Sequence, residues 1–362
     1  MVLNHALDWP ALSVQWFPDY TRNNNETTQR LLISTHTSGQ DAEYLQIVSV
    51  TFPDLITEDV DETGQFFSDS KFKTLQRIPV KDEVNRAKYN PQVPNVIAAR
   101  SDSEDVCLYD YTRHLSSSRE PSPDLVLKGH TKGGYGLDWN HIDRNVLVSS
   151  GEDNAICYFD IGGAGQSEKE MACVHKFEKH TGVVNDVCFN HFNSNVFASV
   201  SDDRSLIVWD RRMENQVVLE KAHALDVLTA EFNPLEEFVL ATGGADAAVK
   251  IWDTRYLDRA LHTLLSHRKS VNQVRWSVHM SSVLASASAD RRVCIWDVSR
   301  AGMEMAPEDL AEGPSELVFI HGGHTNAVTD ICWNPLEKWE IVSVAEDNIL
   351  QIWSRAVPEE GR

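Results

Sequence analysis

HALDVLTAEFNPLEEFVLATGGADAAVKIWD, running from His223 to Asp253, decides the fold. It opens on a histidine, passes an apolar run, turns at Asn233-Pro234, and enters a second apolar run with small residues from Val239 to Gly243. An aspartate-bearing turn at Asp246 then leads into Val249-Lys250-Ile251-Trp252, a strand by its alternation, in which Lys250 is expected to face away from the other three. The frame recurs. His130 leads to Asp160, His180 to Asp210, His267 to Asp297 and His324 to Ser354, each thirty positions on, as His223 leads to Asp253. An aspartate stands six positions before an aromatic residue in every copy: Asp153 before Phe159, Asp203 before Trp209, Asp246 before Trp252, Asp290 before Trp296, Asp347 before Trp353. Three strands of this size cannot bury both faces of a sheet, so each unit needs a neighbour on either side.

Repeats of this length with a terminal Trp-Asp and an upstream histidine resemble the WD-repeat propeller family. Five units are plain from the spacing. A sixth is degenerate, with Glu83-Val84-Asn85 at its start, Ile97 to Ala99 as second strand and Val106 to Asp110 as third. A seventh is weaker still, with strands expected over Leu12 to Phe17, Arg30 to His36 and Tyr44 to Thr51. The nine residues after Trp353 are rich in Pro and Glu and make a poor outer strand. Val2 to Leu7 is therefore expected to fill that place, closing the ring and removing an open edge. The prediction is all-β: a single seven-bladed propeller over 1–362, with blades near 11–80, 81–128, 129–178, 179–221, 222–265, 266–322 and 323–354, the last completed by 2–7.

The histidines and aspartates fall one set per blade, with no two histidines at ligand spacing inside a blade, so no metal site is expected. In WD propellers the equivalent His, Asp and Trp hydrogen-bond to one another and satisfy buried polar groups. That structural role is expected for His130, His180, His223, His267 and His324 with Asp153, Asp203, Asp246, Asp290 and Asp347. No nucleophile elbow, phosphate loop or paired-ligand motif appears, and neither catalysis nor a cofactor is expected. With 54 acidic residues against 33 basic and a net charge of −21, the chain is a poor ligand for a nucleic-acid backbone and suits Lys/Arg-rich partners. Six cysteines, none in a CxxC pair, read as small buried thiols of a reducing compartment. There is no signal segment and no apolar run long enough to span a membrane, so an intracellular protein is expected. Three insertions are expected in surface loops: acidic Asp54 to Ser70, Ser/Pro-rich His114 to Pro123, and acidic Ser299 to Glu316.

A narrower resemblance covers nearly the whole chain. His5-Ala6-Leu7-Asp8-Trp9-Pro10-Ala11-Leu12, Thr35-His36-Thr37-Ser38, Glu83-Val84-Asn85-Arg86-Ala87, Gly134-Tyr135-Gly136-Leu137, the run from Glu312 to His324 and Ala345-Glu346-Asp347-Asn348 are similar to the retinoblastoma-binding, chromatin-assembly-factor branch of WD-repeat proteins. Members are subunits of chromatin assembly, histone acetyltransferase, deacetylase, remodelling and Polycomb-type complexes. The resemblance implies a non-catalytic, nuclear histone-binding adaptor, monomeric within larger hetero-complexes, whose partners are arginine-rich core histones.

Two surfaces follow from that resemblance. In the family a rim groove formed by an N-terminal helix and the acidic loop of blade six holds an amphipathic histone helix, and Glu308, Asp309, Glu312, Gly313, Pro314, Leu317 and Phe319 match it here. Ser315 and Ala311 depart from the pattern, standing for a proline and an acid. The sequence starts at the closing strand, so one wall of the groove is expected to be missing or supplied by something else. The mouth of the central channel takes a basic tail in the family, and His36, Glu83, Asn85, Tyr135 and Glu346 match that site. Gly133, Asn185 and Ser270 replace glutamates there, Leu228 an asparagine and Asn272 an aromatic residue, so weaker tail binding is expected. An alternative reading rests on Trp209-Asp210-Arg211-Arg212 and Trp252-Asp253-Thr254-Arg255, which fit the Trp-Asp-x-Arg pattern of cullin ubiquitin-ligase substrate receptors, with Arg212 and Arg255 as contacts.

Overall fold

β-branched and small apolar residues give each repeat strands that are buried on both faces, because a blade is covered on either side by another blade. All six residues of Val283–Ser288 are buried, for example. In the computed structural model, which describes residues 2–23, 26–53, 71–116, 118–165, 168–213, 216–304 and 313–354, such strands form seven sheets. From the axis outward, blade one holds Val14–Asn23, Glu26–Ser34, Glu43–Pro53 and Lys71–Val80, and blade two Val84–Asn90, Val93–Ser101, Val106–Asp110 and Leu125–Lys128. Blade three holds Leu137–Trp139, Val146–Ser150, Ile156–Asp160 and His175–Phe177, and blade four Val184–Phe189, Val196–Ser201, Leu206–Asp210 and Val217–Leu219. Blade five holds Val227–Phe232, Val239–Gly244, Ala248–Asp253 and His262–Leu265, and blade six Val271–Trp276, Val283–Ser288, Val293–Asp297 and Leu317–His321. Blade seven has Val328–Trp333, Glu340–Ala345 and Ile349–Ser354.

The first strands touch one another in a closed cycle from blade one round to blade seven and back. This is a seven-bladed propeller. Its last blade takes a fourth strand from Val2–Ala6, antiparallel to Ile349–Ser354 with Val2 opposite Trp353. His5 of that strand stacks on Phe72 of blade one at 4.2 Å, so the closing strand also reaches the neighbouring blade. No α-helix occurs among the described residues, and no helix is long and apolar enough to cross a membrane.

Two details differ from the sequence reading. Glu170–Ala172 falls in the range expected for blade three, yet it pairs in parallel with Leu125–Lys128 as a fifth strand of blade two. The chain crosses over immediately afterwards: Cys173 N–H donates to Lys128 C=O in blade two and Val174 N–H to Tyr158 C=O in blade three. Lys250 does not face away from Trp252. Alternate residues share a face, and its ammonium lies 5.8 Å from the Trp252 ring while donating to Ala222 C=O at 2.7 Å.

Hydrophobic burial is divided into wedges between blades. One wedge joins Ala241, Val249 and Ile251 of blade five to Val274, Trp276 and Trp296 of blade six. The axis is polar instead, with a cavity of about 210 Å³ at its centre. Side chains from successive first strands link across it: Lys88 to Asp138 at 2.9 Å, Asp186 to Thr229 at 3.0 Å, Thr229 to Gln273 at 2.6 Å, Gln273 to Asp330 at 3.1 Å, and Asp330 to the Val14 N–H at 3.0 Å. Of the three insertions, residues 54–70 lie outside the described residues, and the loop from His114 is anchored by its ring to Asp124 at 2.9 Å. The third leaves blade six at Arg300 and returns at Ser315, whose hydroxyl donates to Arg300 C=O at 2.8 Å.

Candidate functional site

The five expected His/Asp pairs form inside their blades, at 3.0 Å for His130 and Asp153, 3.0 Å for His180 and Asp203, 2.9 Å for His223 and Asp246, 3.1 Å for His267 and Asp290, and 3.2 Å for His324 and Asp347. Each histidine turns its other nitrogen to a buried hydroxyl: Ser149, Ser199, Thr242, Ser286 or Ser343. In four blades the tryptophan indole donates to that same hydroxyl. In blade three Phe159 has no donor, and the network stops at Ser149. Sequence reasoning missed the hydroxyl, although it stands nineteen positions after every histidine. Burial alone would raise the aspartate pKa values; hydrogen bonds from histidine and backbone N–H overcome it and hold Asp246 and Asp290 at about 2. Asp153 and Asp203 are held lower still by the same balance. The residue after each turn aspartate takes a left-handed conformation, with φ from 61° to 72° at Asn154, Arg204, Ala247, Arg291 and Asn348. These groups are structural, and no cluster able to hold a metal occurs among the described residues.

The channel mouth is organised by a backbone bond repeated in all seven blades. The N–H following the second strand donates to the C=O ahead of the first: His36 to Pro10, Asp102 to Glu83, Glu152 to Gly133, Asp202 to Val183, Ala245 to Asp226, Ala289 to Ser270, and Glu346 to Ala327. Equivalent positions around one mouth therefore carry Glu83, Asp102, Glu152, Asp202, Asp226 and Glu346, a carboxylate arc interrupted at blade six. His36 and Glu83, expected from sequence, meet at 2.5 Å as an ion pair rather than an aligned hydrogen bond. Burial raises the Glu83 pKa, opposed by His36 and reinforced by Asp102 and Glu43. Asn85 donates to Asp102 at 2.8 Å and across to Gly134 C=O at 3.1 Å, and the Tyr135 hydroxyl donates to Glu152 at 3.2 Å. Asp102, Glu152, Asp202 and Asp226 were not singled out from sequence. The signal was present, since Glu152, Asp202 and Glu346 each immediately precede a turn aspartate.

Residues 1–54 match the family model of the histone-binding protein RBBP4, a component of the CAF1 complex. Residues 171–210, 215–253, 258–297 and 315–354 match the "WD domain, G-beta repeat" model. "Histone acetyltransferase type B subunit 2" of Encephalitozoon cuniculi (strain GB-M1) is 47% identical over 362 residues, covering 99% of this chain and 93% of that protein. The chain belongs to the RBBP4-like, histone-binding family of WD-repeat proteins. The stretch matched by the histone-binding model contains the closing strand, His36 and all of blade one that precedes the first insertion.

Of the rim residues implied by this RBBP4-like membership, Glu308, Asp309 and Glu312 lie outside the described residues, as does Ala311. Gly313 sits at φ 140°, a left-handed value, with Leu317 packed where a Cβ would be, 2.7 Å away. Pro314 C=O accepts from Leu317 N–H at 2.9 Å, turning the chain into the outer strand of blade six. Leu317 and Phe319 are half-buried: Leu317 leans on the wedge between blades five and six, Phe319 on that between blades six and seven. Ser315 closes the loop base through its hydroxyl bond to Arg300 C=O. Arg212 and Arg255 are exposed, and each guanidinium is closed on the aspartate of its own motif, Asp210 and Asp253, at 2.6 Å.

Proposed function

We propose that this chain is a non-catalytic adaptor that holds arginine-rich core histones within a nuclear chromatin-modifying or chromatin-assembly complex. The observation that carries it is 47% identity, over 99% of the chain, to a relative named as a histone acetyltransferase subunit. The rim loop is the stronger histone site in this reading, because it combines Glu308, Asp309 and Glu312 with the apolar Leu317 and Phe319. A basic amphipathic helix gains both attraction and apolar burial there. At the mouth the carboxylates are already engaged: Asp102 by Asn85, Asp202 by Asn185 at 2.7 Å, Glu152 by Tyr135 and Glu83 by His36. A free tail must displace those partners, which lowers the net gain per contact. Nothing supports direct nucleic-acid binding by a chain of net charge −21. The Trp-Asp-x-Arg arginines are neutralised within their own motifs, and no observation favours the ligase-receptor alternative.

Titrating a basic amphipathic histone helix and a free histone tail against Asp309→Lys/Glu312→Lys and Glu83→Lys/Glu346→Lys tests the ranking. The rim variant is expected to lower helix affinity by about tenfold and flatten its salt dependence. The mouth variant should do less. Abolition of helix binding by the mouth variant, with a silent rim variant, would reverse the order.

A further inference from the structure

An open cleft of about 620 Å³ lies between the outer part of blade three and the turn that follows the third strand of blade four. Its floor is aromatic, with Phe177 packed 4.9 Å from Trp209 and Tyr158 alongside. Val174 and Met213 stand at its edges with 64% and 58% of their surface exposed, apolar side chains with nothing over them in the chain itself.

The charge of this cleft is opposite to that of the molecule. The chain carries a net charge of −21, whereas Lys176, Lys179, Arg211 and Arg212 line the cleft against Glu178 alone. Two of these cations are internally matched: Lys176 by Asp153 and Glu178, Arg212 by Asp210. The other two are not. Arg211 is held by neutral groups, the Asn195 amide oxygen at 2.7 Å and the Tyr158 hydroxyl at 2.6 Å, which fix its direction without cancelling its charge. Lys179 is exposed and has no ion-pair partner among the described residues. On an acidic protein two uncompensated cations beside exposed apolar side chains mark a surface for a partner of opposite sign.

We propose that this cleft docks an acidic, extended segment of a partner protein that carries a bulky apolar residue. Carboxylates of the segment pair with Lys179 and Arg211, and the apolar residue covers Val174 and Met213 over the aromatic floor. Such a site lies on other blades than the proposed histone surfaces and selects the opposite charge, so a basic histone and an acidic protein of the same complex are held at once.

The test is fluorescence polarisation with a labelled peptide of Glu and Asp residues having Phe and Leu at its centre, against the full chain at low salt. Lys179→Glu/Arg211→Gln is expected to weaken binding by about tenfold and Met213→Ser by a smaller factor, while Lys269→Glu/Lys338→Glu, a reversal of exposed charges elsewhere, leaves it unchanged. If Arg211→Gln lowers the melting temperature, Lys179→Glu alone is read. A parent that does not bind the peptide, cleft variants that bind like the parent, or equal weakening by the control reversal overturns the proposal. So does duplex DNA that competes with the peptide and loses binding on the same cleft substitutions. Binding of basic histone peptides should be unaffected by Lys179→Glu, which separates failure here from failure of the histone reading.

Discussion

A single hydroxyl decides how much of each repeat is wired together. Ser199 joins the His180 ring at 2.7 Å to the Trp209 indole at 2.8 Å, both fully inside the blade. Ser199→Ala leaves two buried groups without partners and is expected to cost about 1–3 kcal/mol. Ser149→Ala in blade three should cost less, since Phe159 offers no indole and only His130 loses a partner. Urea denaturation of both variants checks this: equal losses, or none, would mean the hydroxyl is not the junction. The blades without this network use other devices. In blade one Glu43 accepts from the Thr35 and Thr37 hydroxyls and the Thr37 N–H. In blade two the fully buried Arg100 donates to Ser150 and Lys132 carbonyls of blade three. Neither substitution follows the repeat spacing, so neither was visible in the sequence.

Among the elements the closing strand bears the most on integrity. Val2–Ala6 completes blade seven, Leu3 is buried against Ile352 and Val14, and Leu7 N–H donates to Asn348 C=O at 2.8 Å. Deleting residues 2–7 exposes the edge of Ile349–Ser354, whose unpaired backbone groups seek another chain. The expected result is a lower melting temperature with concentration-dependent aggregation in light scattering; a variant that stays monomeric with unchanged melting would show that the strand is dispensable. Turns between first and second strands matter in a quieter way. Asn140, Asn190 and Asn233 each cap their own turn with the side-chain oxygen while the amide nitrogen donates to a carbonyl of the next blade, Ser194, Glu237 and Ser281. Asn-Pro at 233 and 334 marked the turn in the sequence; the link to the next blade did not show there.

Over the whole ring, ionisation is tied to folding. Burial depresses the pKa of His130 and His324, and of His191, stacked on His141 at 3.7 Å and held at about 3. The unfolded chain binds these protons first, near the ordinary 6.5, so their contribution is present above that pH and declines as pH falls through it. The turn aspartates act in the same direction lower down. With Asp246 and Asp290 at about 2 against an ordinary 3.8, the stability they confer is complete above about 4 and is lost as pH falls towards 2. Asp138, buried beside Lys88, adds to this acid sensitivity. Melting temperature is therefore expected to fall gently from pH 7 to about 5 and steeply below about 4. A melting temperature constant from pH 7 to 3.5 would show that these carboxylates are not linked to folding.

Whatever depends on a fixed chain distance was determined by sequence alone: five units from the His-to-Asp spacing, two degenerate blades from their strand patterns, and closure by 2–7 from the lack of an outer strand after Trp353. Those features are local because each blade is one continuous segment whose strands pair with their sequence neighbours. The crossing of Glu170–Ala172 onto blade two, the polar links across the axis, the carboxylate arc at the mouth and the cationic cleft between blades three and four were decided only by tertiary structure. Each of these joins residues from different blades, and their proximity arises when the ring closes, because only then do positions far apart along the chain share one surface.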